Sequence, residues 1–179
     1  MFKVLILIFS FILSQNMPAA SSLEGRSNKK YEFTFQTGGD YRMSPSQLAG
    51  MYFIDANNLI GLKLGVDRTG EDFQTSIATQ YKRYFGNSFY TAGEVFYLNT
   101  REDTTGLINE IFSLNKSRDA QYTSLGAGIR IGNQWTWKHF TLGCDWIGVG
   151  HRLVSFKKES PHLDDTVFTF FNFIIGASF

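Results

Sequence analysis

From Tyr31 onward, apolar and polar side chains alternate with a period of two in segments of about ten residues. No other feature restricts the fold as tightly. Successive side chains of a strand point to opposite faces, so each segment has one apolar and one polar face. About ten residues is also the length at which a tilted strand crosses a bilayer. Eight segments can be placed. Residues 31–37 set Tyr31, Phe33 and Phe35 against Glu32, Thr34 and Gln36, and residues 47–53 are the least regular. Residues 59–67 set Ile60, Leu62, Leu64 and Val66 against Gly61, Lys63, Gly65 and Asp67. Residues 73–84 oppose Phe73, Thr75, Ile77, Thr79 and Tyr81 to Gln74, Ser76, Ala78, Gln80 and Lys82; residues 89–98 put Val95 and Tyr97 opposite Glu94. Residues 121–131 alternate Leu125, Ala127, Ile129 and Ile131 with Gly126, Gly128 and Arg130. A seventh segment carries Phe140, Leu142, Cys144 and Trp146 against Thr141, Gly143 and Asp145, and the eighth covers residues 167–179.

The N-terminus reads differently. Lys3 precedes an apolar run over residues 4–13, and Ala19 and Ser21 stand in the A-x-A-like relation that a signal peptidase cuts. The run is about half of what a membrane-spanning helix needs. Residues 1–21 are therefore expected to be a cleaved signal peptide, and residues 22–179 a single barrel domain. The one cysteine, Cys144, lies far from the leader, so lipidation there is not expected and no intrachain disulfide can form. After the leader no window is apolar for the eighteen or so residues of a helical span, so helical membrane topology is excluded for these residues. A formal net charge of +1 gives no electrostatic footprint for nucleic acid. Abundant Gly (17) and Phe (18) beside scarce Pro (3) suit strands joined by tight turns.

Alternation alone does not say which face is inside. A soluble lipocalin-like barrel turns its apolar face inward around a ligand, whereas a membrane barrel turns it outward to lipid. Three features favour the membrane arrangement. Short connections at residues 55–58, at 86–88 and around Asn133 and Gln134 alternate with mostly longer polar ones at 38–46, 67–72, 99–119 and 153–165. Periplasmic turns and extracellular loops alternate in this way. Aromatics gather near segment ends, at Tyr31 and Phe33, Tyr52 and Phe53, Tyr84 and Phe85, Phe89 and Tyr90, and Trp135 and Trp137, where interface girdles would lie. Finally, Phe179 is preceded at every second position by Ala177, Ile175, Phe173 and Phe171. This end resembles the C-terminal signal of bacterial outer-membrane β-barrel proteins, which implies recognition by the barrel-assembly machinery during biogenesis. Taken whole, residues 22–179 resemble the small eight-stranded outer-membrane proteins of OmpA-like and OmpX-like type, in architecture rather than in any function-bearing motif. The resemblance implies an all-β, closed, antiparallel, up-and-down eight-stranded transmembrane β-barrel. Such a protein would be a monomer of the bacterial outer membrane, in contact with its lipid.

A barrel of this size has an interior just wide enough for its own side chains, so general porin activity is not expected. Its luminal polar network would contain Glu32, Lys63, Lys82, Glu94, Arg130 and Asp145, with Asp67 near the outer end. Charges of both signs should pair there, because an unpaired buried charge costs on the order of several kcal/mol. If Gly86, Asn87 and Ser88 form a three-residue hairpin loop, Gln80 lies opposite Glu94 and Lys82 is the diagonal neighbour, which predicts a Lys82–Glu94 contact. Gly61, Gly65, Gly126, Gly128, Gly143 and Gly176 on the luminal face would leave room for these long side chains.

Acyl-chain chemistry by a small barrel would need Ser, His and a carboxylate together. His151 and Ser155 share a face if the seventh strand continues, but four residues at about 3.3 Å each part them by about 13 Å, and Asp145 is about 20 Å from His151. His139, beside Trp137 and Lys138, reads as an interface residue rather than a ligand. No His, Cys and carboxylate set has metal-site spacing, and the Gly-Ala-Gly at 126–128 lies inside a strand rather than in a phosphate loop. No catalytic, cofactor-binding or metal-binding residue is assigned. A lipid-modifying barrel enzyme and a soluble ligand-binding barrel stand as the alternatives. The longest loop, residues 99–119 from Asn99 to Asp119, holds Arg101, Glu102, Asp103, Glu110, Lys116 and Arg118, with Leu107, Ile108, Ile111 and Phe112 at helical spacing. It could contact a surface ligand, such as a host surface, a phage or another membrane protein, or simply pack on the barrel rim. The expected role is structural or one of surface interaction.

Overall fold

The computed structural model describes residues 20–40, 46–69, 72–103, 119–156 and 166–179. Eight strands follow one another around a closed barrel: β1 (Tyr31–Asp40), β2 (Ser46–Phe53), β3 (Asn58–Thr69), β4 (Asp72–Phe85), β5 (Phe89–Asp103), β6 (Asp119–Trp137), β7 (Phe140–Ser155) and β8 (Thr166–Ser178). Every neighbouring pair is antiparallel, and β8 pairs back onto β1 from Glu32 opposite Ser178 to Asp40 opposite Thr169. Closure gives every strand a partner on both sides over its central part. The sheet turns its polar face inward. Glu32, Thr34 and Gln36 of β1 are buried while Tyr31, Phe33 and Phe35 stand exposed, and β2, least regular in sequence, alternates in burial along its length.

Two of the short connections take the expected places. In the turn between β2 and β3, Asp55 Oδ1 accepts the backbone N–H groups of Asn57 and Asn58 at 2.7 and 3.0 Å, and Oδ2 accepts the Asn58 amide at 2.7 Å. Asx chemistry of this kind lets Asp close a tight turn on itself. Between β4 and β5, Gly86 takes φ 74°, a left-handed conformation that glycine adopts without steric penalty. The register that follows puts Gln80 opposite Glu94, as the three-residue loop requires.

The third connection is not around Asn133 and Gln134. Strand β6 continues through them to Trp137, and the chain reverses at Lys138 and His139, with Trp137 opposite Phe140. Asn-Gln has the polarity of a turn, but here the pair continues the alternation: Gln134 points into the lumen and Asn133 to the outer wall, where it accepts a hydrogen bond from Trp146 Nε1 at 2.9 Å. At the opposite end the strands run farther than expected: Arg101, Glu102 and Asp103 belong to β5, and β3 continues past Asp67, which lies opposite Gln74 as part of the strand, to Thr69. Leu107, Ile108, Ile111 and Phe112 fall outside the described residues.

Bulges re-aim parts of β7 and β8. Relative to β6, β7 has an extra residue at Trp146; relative to β1, β8 has one at Phe171, whose φ is 52°. The two lie opposite each other, since Asp145 faces Asn172 and Ile147 faces Phe170. Each bulge puts two successive side chains on the outer wall, and the alternation that ends at Phe179 therefore begins at Phe171 and no earlier. A further extra residue, Leu153, brings Ser155 opposite the inward-facing Ser124, while His151 sits opposite the outward-facing Ala127. His151 and Ser155 thus lie on opposite faces, not on one.

Ahead of the barrel, helix α1 (Ala20–Ser27) packs against the end of β6. It opens inside the span assigned to the leader, whose residues 1–19 lie outside those described. Among the described residues no helix is long and apolar enough to cross a membrane, which says nothing about strands.

Candidate functional site in the barrel lumen

Along the inward face of β5 the order from the turn end is Tyr90, Ala92, Glu94, Phe96, Leu98. Charge in the middle is bracketed by apolar layers. Met51, Phe53, Leu59, Tyr84, Tyr90, Ala92 and Ile174 fill the turn end, and Ala78, Phe96 and Leu98 the other side. Between them lie all six luminal residues read from the sequence: Glu32, Lys63, Lys82, Glu94, Arg130 and Asp145, each 5% exposed or less. They come together as one connected network.

Glu94 is its hub. One carboxylate oxygen accepts Arg130 Nε at 2.9 Å, and the other accepts Lys63 Nζ at 3.1 Å and the Gln80 amide at 3.5 Å. Arg130 reaches on to Asp145, with Nη1 3.5 Å from Oδ2. Asp145 in turn accepts the Tyr90 hydroxyl proton at Oδ1 and the Asn172 amide at Oδ2, the latter at 2.9 Å. Glu32 forms the second centre. Its carboxylate accepts the Gln134 amide at 2.6 Å and lies 3.8 Å from Lys82 Nζ, which also donates to Gln134 Oε1 at 2.7 Å and sits 4.7 Å from the centre of the Tyr90 ring. The Lys82–Glu94 contact is therefore replaced by a Lys82–Glu32 pair. Diagonal neighbours on adjacent strands were the nearest partners that sequence register could offer, whereas curvature brings β1 within reach of β4 across the lumen.

Three cations, Lys63, Lys82 and Arg130, face three anions, Glu32, Glu94 and Asp145, so the middle layer is balanced. Close packing around it depends on missing side chains. A Cβ at Gly148 would lie 2.9 Å from Arg130 Cγ, and one at Gly143 would lie 3.0 Å from Gln134 Cβ. Among the described residues, interlocked side chains occupy the middle and turn end of the lumen. Gln134, Tyr90 and Asn172 were not read as luminal: Gln134 was placed in a turn, and Asn172 is a neutral side chain on a strand noted for its apolar face. Tyr90, expected in an outer aromatic girdle with Phe53 and Tyr84, is instead buried with both of them inside the barrel, because the inward parity of β2, β4 and β5 carries these rings to the lumen.

The turn end carries a second arrangement that the sequence did not announce. In α1, Ser22 and Arg26 are one helical turn apart and both buried against the barrel. The Arg26 guanidinium donates to the carbonyls of Ala56 at 2.9 Å, Asn87 at 2.5 Å and Gly86 at 3.1 Å, and to Ser22 Oγ at 2.9 Å, while lying 3.9 Å above the Tyr84 ring. One side chain thus joins the β2–β3 and β4–β5 turns. Ser22 Oγ also accepts the Thr136 backbone N–H at 3.2 Å, so β6 is held as well. Burial lowers the Arg26 pKa from its ordinary value, with Tyr84 and then Glu32 acting the other way.

His139, at the β6–β7 turn, lies 3.1 Å from Lys29 Nζ, and His151 Nδ1 lies 3.2 Å from Thr166 Oγ1 on the outer wall. Among the described residues no group of His, Cys, Asp and Glu is gathered as a metal site. Of the C-terminal residues, Phe171, Phe173, Ile175 and Phe179 are exposed on the outer wall and Ala177 is half-buried. No protein-family model, curated protein or solved structure matches the chain.

Proposed function

We propose that this chain is a monomeric transmembrane β-barrel of the bacterial outer membrane, exported with removal of residues 1–21, whose role is structural or one of surface interaction. The observation that carries the reading is the barrel's reversed polarity. Phe33 (59% exposed), Leu48 (63%), Leu64 (56%) and Ile129 (63%) stand on the outside, and Lys63 and Glu94 on the inside. Moving one such apolar side chain from water into an apolar phase is favourable by about 1.5–3 kcal/mol, and soluble monomers seldom expose apolar patches beyond about 600 Å². An apolar wall that runs round the barrel suits lipid. The same polarity disfavours a soluble carrier of apolar ligands, and the interlocked interior disfavours an open pore.

The strands also suggest where a surface partner would bind. At 15 and 19 residues, β5 and β6 outrun β1 and β2, at 10 and 8; β6 extends four residues past β5 at the turn end, and at the remote end Asp119 to Thr123 pair with β5 alone, beyond the last β7 partner of β6. On this reading the β5–β6 hairpin projects from the cell surface. The outward C-terminal residues Phe171, Phe173, Ile175, Ala177 and Phe179 would be presented to the barrel-assembly machinery. Fractionation of expressing cells, followed by electrophoresis of heated and unheated membrane extracts, tests the reading. A detergent-requiring protein whose mobility shifts on heating is the expected result; a soluble protein with no shift sinks it.

A further inference from the structure

The turn end of the barrel has uneven electrostatics. On the β3–β4 side, Arg83 feels the Asp55 charge, and that carboxylate is already occupied by Asn57 and Asn58. Around the start of β1 and the β6–β7 turn, by contrast, Lys29, Lys30, Lys138 and His139 gather with no ion pair among the described residues, Glu24 of α1 included. Lys29 Nζ lies 3.1 Å from His139 Nδ1, and that nitrogen is also 3.0 Å from the Ser178 carbonyl oxygen. A single ring nitrogen cannot accept from the lysine and donate to the carbonyl at once. An anion beside the pair would accept the Lys29 ammonium protons that Nδ1 does not take.

Lys138 supplies an independent pointer. Its φ of 47° places a lysine in the left-handed region, in a two-residue turn where Asn or Gly is at ease. A charge kept at an unfavourable backbone position suggests a use for the charge. The wall beside it is aromatic: Trp137 stacks on Phe140 at 6.1 Å, His139 on Phe179 at 5.8 Å, and Tyr31 lies 5.7 Å from Tyr52. Cations above an aromatic belt match a membrane interface, where phosphates lie level with the rings.

We propose that Lys29, Lys30, Lys138 and His139 form a binding patch for the phosphate of an anionic phospholipid. The inference rests on the membrane reading above. Native mass spectrometry of the folded protein, released from micelles containing phosphatidylglycerol or phosphatidylcholine, reads it. Wild type should retain phosphatidylglycerol in preference. Lys138→Asn, which suits the left-handed backbone while deleting the charge, and Lys29→Gln should each lower that retention about fivefold. Arg83→Gln should leave it unchanged. Equal retention of the two lipids, an equal loss in Arg83→Gln, or full displacement by excess inorganic phosphate would overturn the lipid patch while the heat shift persists. Loss of the heat shift in wild type would instead overturn the membrane reading, and the patch with it.

Discussion

Replacing Glu94 by Gln removes the negative charge that two buried cations share. Lys63 Nζ, at 3.1 Å, would then meet an amide, and Arg130 Nε, at 2.9 Å, would keep at best a neutral acceptor. Three cations would face two anions in a layer where Lys63 is 2% exposed and Arg130 2%. Removing one partner of a buried pair costs about 3–5 kcal/mol, and Glu94 serves two partners, so the upper end, about 5 kcal/mol, is expected. Adding Lys63→Met restores the balance, with Lys82 and Arg130 facing Glu32 and Asp145. The double variant should then be more stable than the sum of the single effects by about 2–3 kcal/mol. Equilibrium urea unfolding in lipid vesicles, followed by tryptophan fluorescence and by the heat shift, measures all three variants. A Glu94→Gln loss below about 1 kcal/mol, or additive effects in the cycle, would refute the claim that the lumen is held by coupled charge.

Other outcomes follow from the same geometry. Arg26→Ala should free the β2–β3 and β4–β5 turns from α1, lowering stability by about 2–3 kcal/mol, and limited proteolysis should cut α1 while the barrel keeps its heat shift. Unchanged resistance of α1 would mean that Arg26 does not hold it. Tyr90→Phe should cost about 1.5–3 kcal/mol through the lost bond to Asp145, read as a lower urea midpoint. For Asp55, bonds from Asn58 and Asn57 depress the folded pKa, so its contribution is present above the unfolded value of about 3.9 and is lost as pH falls through the folded one. Wild type should lose stability on acidification relative to Asp55→Asn in that acidic window, and parallel pH profiles would remove the effect.

Much of the barrel was legible because two-residue periodicity has one structural cause, the alternation of faces along a strand. The segments of β1, β3 and β4 show it almost without interruption, and the turns at 55–58 and 86–88 advertise themselves through Asp-Ala-Asn-Asn and Gly-Asn-Ser. All six luminal charges followed, since each stands on the polar face of a recognisable strand. What escaped depends on shape or on misleading chemistry. Which carboxylate meets Lys82 is decided by curvature, and the bulges at Trp146, Leu153 and Phe171 follow no local sequence rule. Asn133 and Gln134 imitate a turn. Helix α1, Ala-Ser-Ser-Leu-Glu-Gly-Arg-Ser, has no apolar stripe to betray it, because its buried face is a serine and an arginine.

The Lys82–Glu32 and Lys63–Glu94 pairs join strands that are not neighbours: β4 to β1, and β3 to β5. Consequently the β3–β4 hairpin holds Lys63 and Lys82 without either carboxylate, and β1 carries Glu32 before β4 or β6 has arrived to answer it. In the membrane proposed above, a half-built sheet would expose these charges to lipid, and a register slip of one residue would turn them toward it. If the outer wall faces lipid as proposed, the network would penalise incomplete or misregistered sheets during assembly, and insertion and closure are then expected as a single concerted event.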